Sequence, residues 1–148
     1  MSIQKELTEK MKEAMKAKDT VSLTALRALK SAFLLAKTEA GAGELSDEQE
    51  LKIIQKQVKQ RKDSAQVFLE QNRQDLADPE LAEAKVLEQF LPEALSEEEI
   101  AKVVIATIQD LNAEGMKDMG KVMGVVSKKL AGQADGKTIS TIVKQQLA

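Results

Sequence analysis

The chain has 148 residues, of which 43% are hydrophobic, 31% charged and 2% aromatic, and its formal net charge is −2. These proportions are typical of a folded, soluble protein with an aliphatic core, which favours helices. Because the sequence contains neither Cys nor His, disulfides, thiolate metal sites and nucleophiles paired with a His base are excluded. We predict no catalytic residue, no metal and no cofactor.

Apolar positions at helical spacing predict about four helices and no strand in the first part of the chain. The first two helices cover residues 1–17 and about 21–38. Asp19 or Thr20 is the predicted N-cap of the second helix, because both residue types accept hydrogen bonds from first-turn amides. The segment Gly41-Ala42-Gly43 ends that helix.

The third predicted helix covers residues 47–70 and begins with a capping box formed by Ser46 and Gln49. After a turn, Asp78 and Pro79 open the fourth helix, because proline is tolerated in the first turn. The predicted buried side of this helix consists of apolar residues three or four apart: Leu81, Ala84, Leu87 and Phe90.

Pro92 is the predicted domain boundary, because helices usually end at or before the residue that precedes a proline. Three short amphipathic helices follow. Their predicted N-caps are Ser96 (in a capping box with Glu99), Asp118 and Asp135, and Gly115 and Gly132 close the first two. The predicted fold is all-α, with an N-terminal helical domain of about four helices (residues 1–91) and a small three-helix C-terminal bundle (residues 92–148).

Charge is unevenly distributed in the C-terminal bundle. Residues 93–114 hold one lysine against six acids, a net of −5, whereas residues 115–148 hold six lysines against two aspartates, a net of +4. Matching of charges to helix dipoles would explain part of this pattern. The alternative is a basic face that meets phosphates. The six lysines are Lys117, Lys121, Lys128, Lys129, Lys137 and Lys144.

A second basic cluster lies in the third helix, where five cations fall within 11 residues and no acid lies between them. They are Lys52, Lys56, Lys59, Arg61 and Lys62. A solvated helix face is the usual meaning of such a run. However, solvated faces normally alternate charges, since unlike charges four residues apart attract. A partner anion therefore remains the second interpretation.

Two helix starts carry a glycine at an early position, Gly120 and Gly136. Helix N-termini leave backbone N–H groups open to an anion, so these glycines are candidate anion-binding positions. The alternative is that the glycines serve capping and tight packing. Gly124 lies one turn after Gly120, and the pair would let another backbone approach closely. Asp118 and Asp135 would themselves satisfy some of the amides.

Several segments resemble the GatB/YqeY family, and their order and spacing carry the resemblance. They are Leu26-Arg27, residues 59–64, Leu87-Glu88-Gln89-Phe90-Leu91-Pro92, residues 96–100, Asp118-Met119-Gly120-Lys121-Val122-Met123, and Gly132-Gln133-Ala134-Asp135-Gly136-Lys137. The match covers nearly the whole chain and is closer to free-standing YqeY-like proteins than to GatB. Phe90 departs from the usual tyrosine of the hinge. Gln133 stands where relatives often carry a basic residue.

The resemblance implies a helical accessory protein that binds tRNA or another structured RNA through its C-terminal tail domain and is not catalytic alone. The three Phe residues lie on apolar stripes, and Tyr and Trp are absent. Contacts should therefore be made to RNA backbone and shape rather than by base stacking. We expect no DNA partner.

Two other functions stay open at this point. The family name suggests a component of a glutamine-dependent carbon–nitrogen ligase (amidotransferase), although no Cys or His is present to hydrolyse glutamine. The third possibility is a protein–protein adaptor whose groove is lined by Met119, Met123 and Val126. The start of the chain has no signal-peptide pattern and no stretch is apolar enough to span a membrane, so we expect a cytoplasmic protein without a membrane partner.

Overall fold

The computed structural model describes residues 2–39, 41 and 43–148. Within these ranges the chain forms seven α-helices and one short 3-10 helix and contains no strand, which confirms the all-α prediction. The helices are α1 (Ile3–Ala17), α2 (Thr20–Glu39), α3 (Asp47–Glu70), α4 (Gln74–Glu88), α5 (Glu97–Leu111), the 3-10 helix (Met116–Asp118), α6 (Met119–Lys129) and α7 (Gly136–Leu147). The chain divides into two compact units, Met1–Leu91 (unit 1) and Pro92–Ala148 (unit 2).

Unit 1 is built around one aliphatic core to which all four of its helices contribute. Leu26 and Leu29 of α2, Ile54 of α3 and Leu87 of α4 are at most 1% exposed, and Leu7 of α1 packs against the same cluster. Burial of each such side chain stabilises the fold by about 1.5–3 kcal/mol. Helices α3 and α4 form an antiparallel hairpin, and α2 packs on both α1 and α4.

Local capping signals in unit 1 are confirmed. The Ser46 hydroxyl accepts from the Gln49 N–H at 3.1 Å, and the Gln49 side chain accepts from the Ser46 N–H at 2.8 Å. Asp19 caps α2 by accepting from the Ser22 N–H at 3.1 Å. The prediction that Gly41-Ala42-Gly43 ends α2 rests partly on Ala42, which lies outside the described residues.

The predicted start of α4 at Asp78 and Pro79 is wrong. The helix begins at Gln74, and Pro79 lies inside it. Asn72 adopts a left-handed conformation (φ 58°), so α3 ends abruptly and the chain reverses at once into α4. Burial of Ala77 in the first turn of α4 outweighs the preference of proline for a helix start.

One residue predicted to face inward is instead exposed. Leu81 of α4 is 41% exposed. In α4 the buried side is set by Ala77, Ala84 and Leu87, and Leu81 lies beside that stripe rather than on it.

Unit 2 is a bundle of α5, α6 and α7 with a core of β-branched residues. Val104, Val122, Val126 and Val143 are fully buried there. The equally buried Thr107 side chain is satisfied because its hydroxyl donates to the Val103 carbonyl oxygen at 2.8 Å. The 57-residue unit therefore has a continuous core of its own.

Several predicted helix ends in unit 2 need correction. Asn112, in a left-handed conformation (φ 49°), ends α5 instead of Gly115, which precedes the 3-10 helix. Asp118 is the residue before α6, but its carboxylate accepts from the Glu114 N–H at 2.7 Å rather than capping α6. The Asp118 change follows from the tight 3-10 turn, which points the side chain back towards Glu114 in the connection after α5.

The other two caps of unit 2 agree with prediction in position. The Asp135 carboxylate accepts from the Thr138 N–H at 2.6 Å and caps α7. The Ser96 hydroxyl accepts from the Glu99 N–H at 3.2 Å, but the return bond of a capping box is not formed among the described residues. No helix in the described part of the chain is long and apolar enough to cross a membrane.

Candidate nucleic-acid interface

The outer face of α6 carries two glycines, which leave the helix backbone uncovered, and positively charged lysines. Gly120, Gly124, Lys121 and Lys128 are exposed, and their spacing places them on one side of the axis of α6. Lys117 is also exposed and lies in the 3-10 helix immediately before α6. Lys121 and Lys128 lie about 10 Å apart along that axis. We call these five residues the α6 face.

Packing inside unit 2 does not explain the two glycines of the α6 face. A Cβ atom added at Gly120 or Gly124 would meet no atom within 4 Å, and neither glycine has a positive φ. The prediction that another backbone approaches them closely is therefore wrong within the described part of this chain. In the middle of a helix, Gly124 costs about 1 kcal/mol relative to alanine. Among the described residues, no neighbouring atom requires glycine at this position.

The six predicted tail lysines differ in how far they are neutralised. Lys117 lies 3.8 Å from the carboxylate of Glu114, but both side chains are more than 70% exposed, so this pair is weak. The Lys129 ammonium donates to the Thr107 hydroxyl at 3.4 Å and has a structural role. Within the ranges described, Lys121, Lys128, Lys137 and Lys144 form no ion pair and are exposed.

The two glycine-bearing helix starts are also different. At α7 the Asp135 carboxylate already accepts from the Thr138 amide and places a negative charge at the helix start, so Gly136 is poorly placed to receive an anion. At α6 the Asp118 carboxylate is turned towards Glu114, which leaves the first turn beside Gly120 without a side-chain cap. Gly120 is therefore the better candidate of the two.

A shallow polar groove of about 190 Å³ lies next to Lys137, between the start of α5 and α7. Thr138, Thr141 and Gln145 line it and provide hydroxyl and amide groups. Glu97 lines it as well. This mixture of charges disfavours a phosphate in the groove itself and leaves Lys137 as a cation at its margin.

Acids lie beside most cations of the basic cluster of α3 and lower its net charge. Lys52 pairs with Glu48 at 3.2 Å and Lys59 with Asp63 at 2.9 Å, each one helical turn away. From α4, Glu83 approaches the Arg61 guanidinium to 3.4 Å and Glu88 approaches Lys62 to 2.6 Å. Among the described residues, Lys56 is the cation of this cluster without an ion pair. The cluster is thus a weaker candidate for anion binding than the α6 face.

Arg61 is a structural residue rather than an exposed ligand. Its side chain is only 12% exposed, and its guanidinium also donates to the Gln57 backbone and side-chain oxygens at 3.1 and 2.9 Å. The bonds to Gln57 lie within α3, and the contact with Glu83 joins α3 to α4.

Sequence reasoning did not include two cations of α2 among the candidate site residues, although Arg27 belongs to a segment that resembles the family. Arg27 and Lys30 are exposed and form no ion pair in the described part of the chain. A signal was available, since no acid occurs in α2 before Glu39. The described residues contain no cluster of three or more acids that could hold a metal ion.

Nearly the whole chain matches a known family. The sequence model of the family described as "Yqey-like protein" matches residues 4–147. The chain is a member of the YqeY-like family. This assignment confirms the family resemblance carried by the glycine and hinge segments.

Named relatives of this YqeY-like chain fall into two groups. It is 38% identical over 73 residues to a glutamyl-tRNA(Gln) amidotransferase component from Thermococcus gammatolerans, a match that covers 47% of the chain but only 12% of that protein. It is 30% identical over 138 residues to the altered inheritance of mitochondria protein 41, mitochondrial, of Pyrenophora tritici-repentis, covering 91% of the chain and 75% of that protein. The counterpart from Clavispora lusitaniae is 33% identical over 124 residues, covering 81% of the chain and 69% of that protein.

Proposed function

We propose that this YqeY-like protein binds tRNA or another structured RNA through the α6 face and acts as an accessory protein that is not catalytic alone. The observation that carries the proposal is the exposed pair Gly120 and Gly124 among lysines, of which Lys121 and Lys128 have no acid partner within the described ranges. Lysines attract phosphates, and the absence of Cβ atoms lets a phosphate strand approach the helix backbone closely.

The chemistry of the rest of the chain supports contacts to RNA backbone and shape. Phe33 and Phe90 are 3% and 6% exposed, Phe68 is partly buried, and Tyr and Trp are absent from the sequence. Among the described residues no aromatic side chain is fully exposed to stack bases, as single-strand readers require. The printed name of the Thermococcus amidotransferase component refers to a tRNA, which makes tRNA the first RNA to test.

The same relative supports a place beside a glutamine-dependent carbon–nitrogen ligase rather than the ligase activity itself. The matched part of the chain corresponds to 12% of that protein. The chain also contains no Cys or His to supply a nucleophile or a general base for amide hydrolysis. The adaptor groove has less support, because Met119 and Met123 pack against the core of unit 2 and Val126 is fully buried.

A titration of the full chain with a purified tRNA transcript, followed by fluorescence anisotropy at about 50 and 150 mM salt, tests the proposal. Lys121→Ala/Lys128→Ala should weaken binding at least tenfold at the lower salt. The control is Lys102→Ala, which removes a single exposed lysine from α5 of the same unit. Absence of binding at low salt, or equal losses in the double variant and the control, contradicts the assignment.

A further inference from the structure

Helix α2 presents a face that the core of unit 1 leaves uncovered. Leu34 and Leu35 are 55% and 60% exposed, whereas Leu26, Leu29 and Phe33 point into the core. Single exposed leucines are normal on protein surfaces. Two adjacent ones, both more than half exposed, have no role in the packing of unit 1.

Two cations lie on the same side of the helix. Arg27 and Lys30 precede the leucines by one to two turns and are exposed. At 3.6 residues per turn, Arg27, Lys30, Leu34 and Leu35 fall within about 140° of the helix circumference and about 12 Å of its length. We call these four residues the α2 face.

No acid of α2 offsets these charges. The helix has no acidic residue in its first turn and none before Glu39. Its third cation, Lys37, is engaged with Gln4 and Glu44. In the residues that the structure describes, neither Arg27 nor Lys30 has an ion pair. The α2 face therefore joins an apolar patch to a positive charge that is not neutralised.

We propose that the α2 face is a docking surface for an acidic amphipathic helix of a partner protein. Such a helix would place apolar side chains over Leu34 and Leu35 and carboxylates opposite Arg27 and Lys30. Helix-to-helix docking of this kind uses anchors three or four residues apart, and complementary charges fix the orientation and raise the association rate.

An RNA is a poorer match to this face. A phosphate strand complements Arg27 and Lys30 but offers nothing to two exposed leucines, whose burial against apolar side chains favours protein association. The α6 face differs, because it carries lysines and glycines and no exposed leucine. The two surfaces therefore suit partners of different chemistry, and the docking proposal does not depend on RNA binding.

The test selects partners by chemistry. A display library of random peptides of about 15 residues is panned against the immobilised full-length chain, and enriched peptides are synthesised and titrated. We expect enriched sequences with Asp or Glu and with apolar residues three or four apart. Binding should weaken about tenfold in Arg27→Glu/Lys30→Glu and about tenfold in Leu34→Ser/Leu35→Ser.

Matched controls separate this surface from general charge effects and from the α6 face. Lys12→Glu/Lys16→Glu reverses two exposed lysines of α1 and should change peptide affinity less than twofold. Lys121→Ala/Lys128→Ala should leave peptide binding unchanged. Circular dichroism of every variant confirms that the exposed substitutions preserve the fold.

Three outcomes overturn the proposal. The first is enrichment of no acidic amphipathic peptide. The second is peptide affinity that is unchanged in both α2-face variants. The third is a loss of tRNA binding in Arg27→Glu/Lys30→Glu without any peptide binding, which assigns the α2 face to RNA instead.

Discussion

The Lys37 ammonium donates to the Gln4 side-chain oxygen at 2.8 Å and so joins the end of α2 to the start of α1. Glu50, in the first turn of α3, is 4% exposed and forms a side-chain hydrogen bond with Gln4. Its Oε2 atom has no hydrogen-bond partner among the described residues. One end of unit 1 therefore holds a buried carboxylate that is only partly satisfied.

Burial raises the pKa of Glu50, and the nearby charges of Asp47 and Glu44 act in the same direction. The hydrogen bond with Gln4 and the charge of Lys37 lower the pKa but do not cancel the effect of burial. Because the folded pKa lies above the unfolded value, the charged form is disfavoured in the folded state. At neutral pH the carboxylate thus destabilises the fold, and this penalty disappears as the pH falls through the folded and then the unfolded pKa.

Glu50→Gln should therefore raise the free energy of unfolding at pH 7 by about 1 kcal/mol. The difference from wild type should shrink towards zero near pH 4, where the wild-type carboxyl is largely neutral in both states. Urea unfolding of both proteins at the two pH values measures this. A destabilised variant at pH 7 would show that the attraction of Glu50 to Lys37 outweighs its desolvation.

Arg61 and Lys62 are adjacent cations with different expected contributions to stability. Arg61 and Glu83 are 12% and 18% exposed, so Arg61→Ala leaves a largely buried carboxylate unpaired and should cost about 2 kcal/mol. Lys62 is 55% exposed in its pair with Glu88, and Lys62→Ala should cost less than about 0.5 kcal/mol. Urea unfolding measures the stability of both variants. A loss in Arg61→Ala as small as that in Lys62→Ala would rule out a structural role for Arg61.

The ion pairs of α3 predict that its lysines contribute little to RNA affinity. Lys52→Ala/Lys59→Ala removes two lysines whose charges are offset locally by Glu48 and Asp63, so tRNA affinity should change less than about threefold. In contrast, Lys121→Ala/Lys128→Ala should reduce the slope of log affinity against log salt by about 2. A larger effect from the α3 variant than from the α6 variant would relocate the interface to α3.

Local signals in the sequence were sufficient where hydrogen bonds close within one helical turn. The pairing of Ser46 with Gln49 defined the start of α3, and Asp135 defined the start of α7. The start of α4 could not be predicted in this way. There the burial of Ala77 against other helices outweighed the local signal of Pro79.

Whether the residues of a candidate site are exposed and free of ion pairs depends on residues distant in the sequence. This property was therefore harder to predict. The five cations of α3 have no acid between them, but Glu83 and Glu88 reach two of them from α4. Likewise, the sequence shows Gly120 and Gly124 one turn apart, but only the packing of unit 2 reveals that both face outward into open space. Periodicity predicts which residues belong to a helix. The residues of other helices that pack against them depend on the tertiary structure.

Gly124→Leu gives the most direct test of the α6 face, because the account predicts opposite effects on stability and on binding. Leucine has a higher helix propensity than glycine and meets no atom within 4 Å at its Cβ, so the variant should be about 1 kcal/mol more stable. Its side chain would keep a phosphate strand away from the helix backbone, so tRNA affinity should fall at least tenfold. The control is Ala106→Leu, at an exposed position of α5. A stable Gly124→Leu protein that binds tRNA as tightly as wild type would contradict the account.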